Sequence, residues 1–403
     1  MQSSSNRLLT QVSTAHLVSH LHIMAVPALL PVLPDTMQVG FVELGIAIGL
    51  FNIVSAVVQA PLGFLVDRLG ARRMLMAALL LGMTSFGLVA LFPNYPCLLA
   101  AMFLAGLANG VYHPADYSLL SRGIPSRRMG RAFSIHTFAG FLGAALAPPI
   151  MIGVALVMGP RWSFAIAALA GLLAWVVMVI LGSSVPHSRP EAPLTEQRNI
   201  RARPLTTPVA TLAVLTLLFA LLSLSTGAIE KFSVSALVQG FDVALPVANT
   251  ALTAFLFASA FGVLAGGVLA DRTDRHGYVA AAAFALAAFT VVVVIRIPLP
   301  PVALAVALGA AGFLTGMVAP SRDMLVRAAS PAGAEGRTFG IVSTGFNMGG
   351  VIGPLLFGFL LDRGQASGVL WGAVGFMVVT TAVVLLQERH QRTKPVSSAV
   401  MAK

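Results

Sequence analysis

The chain is 403 residues long, 57% hydrophobic and only 10% charged, where a soluble domain carries about 25% charged residues; a water-soluble globular protein is excluded. Its one cysteine, Cys97, excludes internal disulfides and cysteine-built metal or cluster sites. The formal net charge of +11 would suit a nucleic-acid partner if the basic residues were clustered. They are scattered between apolar runs, so topology accounts for them and no nucleic-acid partner is expected.

Apolar runs of about 20 residues recur along the chain, each long enough to cross a bilayer as a helix. Backbone polar groups in lipid must be satisfied internally, which leaves helices or closed barrels, and no alternating ten-residue pattern supports a barrel. The expected fold is an all-α polytopic membrane protein. Twelve segments are read: 12–34, 43–65, 72–92, 96–120, 130–158 and 162–182 in the first half, then 208–230, 246–269, 277–297, 301–326, 337–361 and 368–387 in the second. The first runs far past a signal-peptide core and is read as a retained helix. The domains expected are a six-helix bundle over 1–182, a Pro- and Arg-rich linker over 183–207, a second bundle over 208–388 and a tail over 389–403. Bends are expected at Pro27, Pro61, Pro114, Pro148 and Pro320, because proline removes a helical donor.

In chain order, Ser13, His16 and His20 form a polar stripe in the first segment, with His22 on another side. The loop after the second segment reads GFLVDRLGARR, Gly63 to Arg73, in which Asp67, Arg68, Arg72 and Arg73 are the charged members. The fourth segment carries Asn109, His113 and Asp116 at i, i+4 and i+7, one helical face. Asp116 reads either as a functional carboxylate or as a latch to Arg122 or another arginine at the inner end. His136 follows in the fifth segment; it and His22 read as packing histidines. Glu230 and Lys231 read as the outer end of the seventh segment. The matching loop of the second half, GVLADRTDR from Gly267 to Arg275, keeps Asp271 and Arg272.

A shift of 206 residues relates the halves: Gly106, Gly110 and Pro114 fall on Gly312, Gly316 and Pro320, and Arg131, Phe133, Gly143 and Pro148 on Arg337, Phe339, Gly349 and Pro354. Thr315, Ala319 and Arg322 then take the places of Asn109, His113 and Asp116. Such repeats are expected to be pseudo-two-fold related, with binding at their interface. Arg322 and Asp323 read either as a binding site or as a gate bond. Lys and Arg concentrate in alternate loops, the linker and both tails, which places both termini in the cytoplasm.

The G-x-x-x-D-R-x-G-x-R-R element, present after the second segment and again in part after the eighth, resembles the signature loop of the major facilitator superfamily. The VYHP-A-D run, the glycine-spaced run from Ser134 to Gly143 and Ser19-His20-Leu21 resemble the fosmidomycin-resistance type of bacterial transporter. The resemblance implies two pseudo-symmetric six-helix bundles in the inner membrane and a drug–proton antiporter. It implies gating roles for Asp67, Arg68, Arg72, Arg73, Asp271 and Arg272; the gating role of Asp323 is read from its place beside Arg322 and not from the resemblance.

No nucleotide loop, zincin helix or nucleophile motif is present, so no enzyme, cofactor or bound metal is expected. Four histidines read as too scattered for a ligand set. The expected function is proton-coupled export of a small drug-like or anionic compound by alternating access, with import of an organic anion as the alternative. Transition-metal transport and solute sensing stand behind both. Proton coupling falls to Asp116, His113 and His20, and substrate binding to Arg322, Asn109, His16 and Thr315. The expected partners are a small-molecule substrate, protons and the lipid bilayer, with the protein acting as a monomer.

Overall fold

A computed structural model describes residues 2–125, 128–182, 208–270, 272–273, 275–330 and 335–393. The expected linker (183–207), Asp271 and the end of the tail (394–403) lie outside the described residues. The described chain is helical: α1 (Gln2–Leu29), α2 (Leu33–Met37), α3 (Phe41–Leu69), α4 (Ala71–Leu91), α5 (Tyr95–Gly123), α6 (Met129–Met158), α7 (Pro160–Ile180), α8 (Val209–Phe241), α9 (Leu245–Ala270), α10 (His276–Arg296), α11 (Pro301–Ala329), α12 (Glu335–Asp362) and α13 (Ser367–Thr393). All but the short α2 are long and apolar enough to cross a membrane, giving twelve candidate spans. Large apolar side chains such as Val57, Phe64, Val157, Ile180 and Val302 stand exposed on their outer faces, where lipid would be their solvent.

Two expected segments change. The first starts at Gln2 and ends at Leu29 rather than running to 34. A turn and the five-residue α2 take up the rest, with Pro34 in the first turn of α2, where its missing N–H would have no intrahelical partner. The seventh runs on to Phe241, because buried Phe232, Val234, Ala236 and Leu237 keep the chain apolar beyond the charged pair. Glu230 and Lys231 are therefore inside α8 and do not mark its end. Pro27, Pro61, Pro114, Pro148 and Pro320 each lie within an unbroken helix.

The bundles share one packing plan. In the first, α1 packs on α6 and α7, α3 on α5, and α4 on α5 and α7; in the second, α8 packs on α12 and α13, α9 on α11, and α10 on α11 and α13. Glycines set the crossings at the same places. Gly143 of α6 meets the Leu17 carbonyl of α1, and Gly349 of α12 meets Ser223 and the Ala220 carbonyl of α8. Gly106 approaches the Phe51 carbonyl and Gly312 the Phe255 carbonyl. Apolar burial drives little helix association in lipid, so close backbone approach at small residues does much of it.

Across the bundles, α3 packs on α12, α6 on α9 and α1 on α8. The α3–α12 contact runs along the ends remote from the termini: Gly45 lies against the Pro354 carbonyl and Gly358 against the Phe41 carbonyl. There the Phe41 and Val42 N–H groups donate to the two carboxylate oxygens of Asp362 at 2.7 and 2.8 Å. A helix N-terminus leaves unpaired N–H groups and favours an anion. Gly40 has no side chain to cap α3, and the opposite bundle supplies the cap.

Candidate functional site

The first bundle encloses a cluster built by three helices. From α5, Asp116 reaches the space between α1 and α6 and is fully buried. His16 Nδ1 of α1 lies 3.1 Å from Asp116 Oδ2, and His136 Nε2 of α6 lies 3.6 Å from the same oxygen. The His16 ring lies 3.8 Å from His136 and 4.7 Å from His20 in tilted contacts and meets His113 edge-on at 5.4 Å, measured between ring centroids. Tyr117 closes the cluster beside His113 and His136. A small residue makes this possible: a Cβ at Gly140 would meet the rings of His16 and His20 at 2.8–3.0 Å.

The cluster is short of hydrogen-bond partners. Asp116 Oδ1, both His136 nitrogens, His113 Nδ1 and the Tyr112 hydroxyl are buried without one. Buried polar groups are normally paired, and each exception costs about 1–3 kcal/mol. Such a set suits exchangeable protons or water. The donor atoms of His16, Asp116 and His136 lie within 4.8 Å of one another, close enough to share a transition ion as well. The expectation that the histidines are scattered is thereby corrected: four of them converge.

His136, read as a packing residue, is a cluster member; its α6 backbone, not its sequence neighbours, brings it to Asp116. His22 is a packing residue, with Nε2 2.8 Å from the Ala167 carbonyl. Asp116 does not latch to Arg122, which instead lies 3.9 Å from Asp67. Asn109 points away from the cluster and donates to Ser55 Oγ of α3 at 2.6 Å.

The second bundle holds a cavity of about 260 Å³ at the related place. Shifted by 206 residues, His16, His20, His113, Asp116 and His136 become Leu222, Thr226, Ala319, Arg322 and Val342. Leu222, Thr226, Ala319 and Arg322 all line the cavity, and Phe141 of the first bundle closes it. Thr315 lines it too, its hydroxyl donating to the Gly312 carbonyl. The Arg322 guanidinium sits between Phe219 and Phe346, 4.9 Å from each ring centroid. Its Nε and Nη2 donate to Asp323 Oδ1 at 2.8 and 2.7 Å. The two rings flank a guanidinium that lines the cavity, an arrangement that suits an anion. Glu230 and Lys231 complete the lining. Sequence reading missed them because two adjacent charges ordinarily end a membrane helix.

The family model of the Major Facilitator Superfamily matches residues 12–241 and 228–401. The chain belongs to the major facilitator superfamily. Among curated proteins it is similar to the fosmidomycin resistance protein of Escherichia coli, 25% identical over 71% of this chain and 70% of that one. It is also similar to a putative tartrate transporter of Agrobacterium vitis, 24% identical over 86% and 84%. Among solved structures it is similar to a bacterial homolog of the human lysosomal transporter Spinster, with a TM-score of 0.79 over 96% of this chain and 98% of that one, at 14% identity. It is a multi-pass membrane transporter and not an enzyme.

In this member of the superfamily the signature loop is a helix-to-helix corner. Gly70 has φ +94°, a conformation that L side chains rarely adopt. Arg72 reaches the Met178 carbonyl at the end of α7, joined by Gln11, which donates to the Gly182 carbonyl at 2.7 Å. Arg68, Arg73 and Arg272 are exposed. Asp67 faces Arg122 as an exposed pair.

Proposed function

We propose that this protein is a proton-coupled exporter of a compact organic anion, working by alternating access with both termini in the cytoplasm of a bacterial cell. The observation that carries the reading is the fully buried Asp116 carboxylate held against His16 and His136. Intramembrane ionisable groups are costly and mark ion or substrate paths, and carboxylate–imidazole sets pass protons near neutral pH. Among the described residues, the titratable groups around Asp116 belong to the first bundle: His16 and His20 of α1, Tyr112, His113 and Tyr117 of α5, and His136 of α6; Asp323 of α11 acts on Tyr117 from the second bundle. The anion is assigned to the second bundle, where Arg322 and Thr315 line the cavity. Proton and substrate occupy different bundles, so coupling runs through the contacts that hold the bundles together.

Export is the direction that suits similarity to a resistance protein of Escherichia coli, and the anionic substrate agrees with similarity to a putative tartrate transporter of Agrobacterium vitis and a probable anion transporter of Arabidopsis thaliana. Basic residues in alternate loops support the cytoplasmic termini. Each chain carries both sites, which suits a monomer.

The test is flux in proteoliposomes under an imposed pH gradient. Asp116→Asn is expected to abolish gradient-driven accumulation while substrate exchange continues, since exchange never resets the proton. Accumulation with unchanged pH dependence in that variant, or accumulation that requires an added transition metal, overturns the proton assignment.

A further inference from the structure

We propose that Glu230 and Lys231 form a second polar pole of the cavity, and that its substrate is a compact acid carrying a hydrogen-bond donor away from the acid group. The inference rests on the anion reading above and narrows it.

Both residues line the same cavity as Arg322. Successive helical residues point about 100° apart, so the cavity wraps around this turn of α8 and both side chains reach it. Neither has an ion pair or hydrogen bond among the described residues. The fold does not call for them: the related positions in the first bundle are Met24 and Ala25, 3% and 0% exposed in its core. Two adjacent opposite charges inside a membrane helix, without a direct ion pair between them, are costly and are retained where a ligand meets them.

The chemistry of the lining fixes the ligand. Asp323 takes the Nε and Nη2 of Arg322, which leaves the Nη1 donors of this cavity-lining residue for a ligand, and Lys231 is a second donor on the same lining. Together they take an acid group. An ionised Glu230 only accepts, so a ligand that is acid and nothing else would leave it facing an anion. A hydroxyl or N–H group on the ligand satisfies it. At about 30 Å³ per water, the 260 Å³ cavity admits a ligand on the order of ten non-hydrogen atoms.

Isothermal titration of the purified protein tests this with two probes, 3-hydroxypropylphosphonate and propylphosphonate, in the absence of any gradient. The hydroxylated probe is expected to bind about tenfold more tightly, because its competitor leaves a buried acceptor unpaired. Glu230→Gln keeps the side-chain volume and is expected to shrink that ratio to about threefold or less; Glu230→Leu is expected to erase it. Lys231→Met is expected to weaken both probes about tenfold and leave their ratio intact. Equal binding of the two probes by the unaltered protein, or a ratio unchanged in both Glu230 variants, overturns the inference while the anion reading stands. Binding of neither probe overturns both. A failure of proton coupling in the flux assay would not touch these equilibria.

Discussion

The two bundles put different chemistry on one frame. Their crossings repeat at Gly143 and Gly349, and at Gly106 and Gly312. At the related points inside, the first bundle places His16, His20, His113, Asp116 and His136, and the second places Leu222, Thr226, Ala319, Arg322 and Val342. Imidazole rings fill the first interior; in the second, Leu222, Thr226, Ala319 and Arg322 line a cavity of about 260 Å³. The difference separates the frame, carried by glycines, from the site, carried by whatever stands between them. On the function proposed above, it also separates the proton group from the anion cavity.

The strongest test of the shared frame is at the glycines. Gly143→Ala would drive a methyl into the Leu17 carbonyl, and Gly349→Ala would place one 2.5 Å from the Ser223 Cβ. Overpacking of this kind costs about 1–3 kcal/mol, occasionally more. Both variants are expected to lose most of their folded yield, read as the monodisperse peak in detergent. Tolerance of one and not the other would break the symmetry.

The division of chemistry is tested next by a pair of variants. Arg322→Ala removes the stacked guanidinium and is expected to weaken propylphosphonate at least about tenfold, since a charge-assisted bond to a buried group contributes about 1.5–3 kcal/mol. His136→Val, which installs the residue that the second bundle has at the related position, is expected to leave that affinity within about threefold. Its gradient-driven flux should fall at least about tenfold. If the two variants damage binding equally, the sites are not separate.

Much of this was legible in sequence. Hydropathy and the 206-residue repeat mark the twelve spans and the two bundles, because lipid demands long apolar helices and duplicated crossings demand duplicated glycines. His113 and Asp116 are visible as one helical face. His136 and the Glu230–Lys231 pair are not: their roles depend on which helix α6 crosses and on how far α8 continues, and both are tertiary facts. Asp362 was missed for a similar reason. It caps α3 from a position more than 300 residues away, and no local pattern announces a cap supplied by another bundle.

Asp362 ties the two bundles together at one end and bears on their relative motion. Asp362→Ala removes two charge-assisted bonds that close the bundles at the end remote from the termini. The expected effect is a shift of at least about tenfold toward the state in which that end is open, read as a longer spin–spin distance between labels on α3 and α12. Asp362→Asn keeps one acceptor oxygen and should shift the distribution less. An unchanged distribution in the alanine variant would leave the α3–α12 glycine contacts as the closure.

The smallest effect is expected at the signature loop. Asp67 lies 3.9 Å from Arg122, and their side chains are 69% and 49% exposed. An exposed pair at that distance contributes little to stability, and surface substitutions of this kind stay within about 0.5 kcal/mol. Asp67→Asn should therefore leave the melting temperature and the propylphosphonate affinity where they are. The pair nevertheless joins the corner between α3 and α4 to the last turn of α5, the helix that carries His113 and Asp116. If the corner moves when the bundles rock, the charge on Asp67 matters to the rate of that step and not to either end state. Flux is then expected to fall several-fold with binding unchanged, and Arg122→Gln should reproduce the loss without adding to it in the double variant. Loss of binding along with flux would make Asp67 part of the folded core of the first bundle, and independent, additive losses would show that the 3.9 Å pair does not act as a unit.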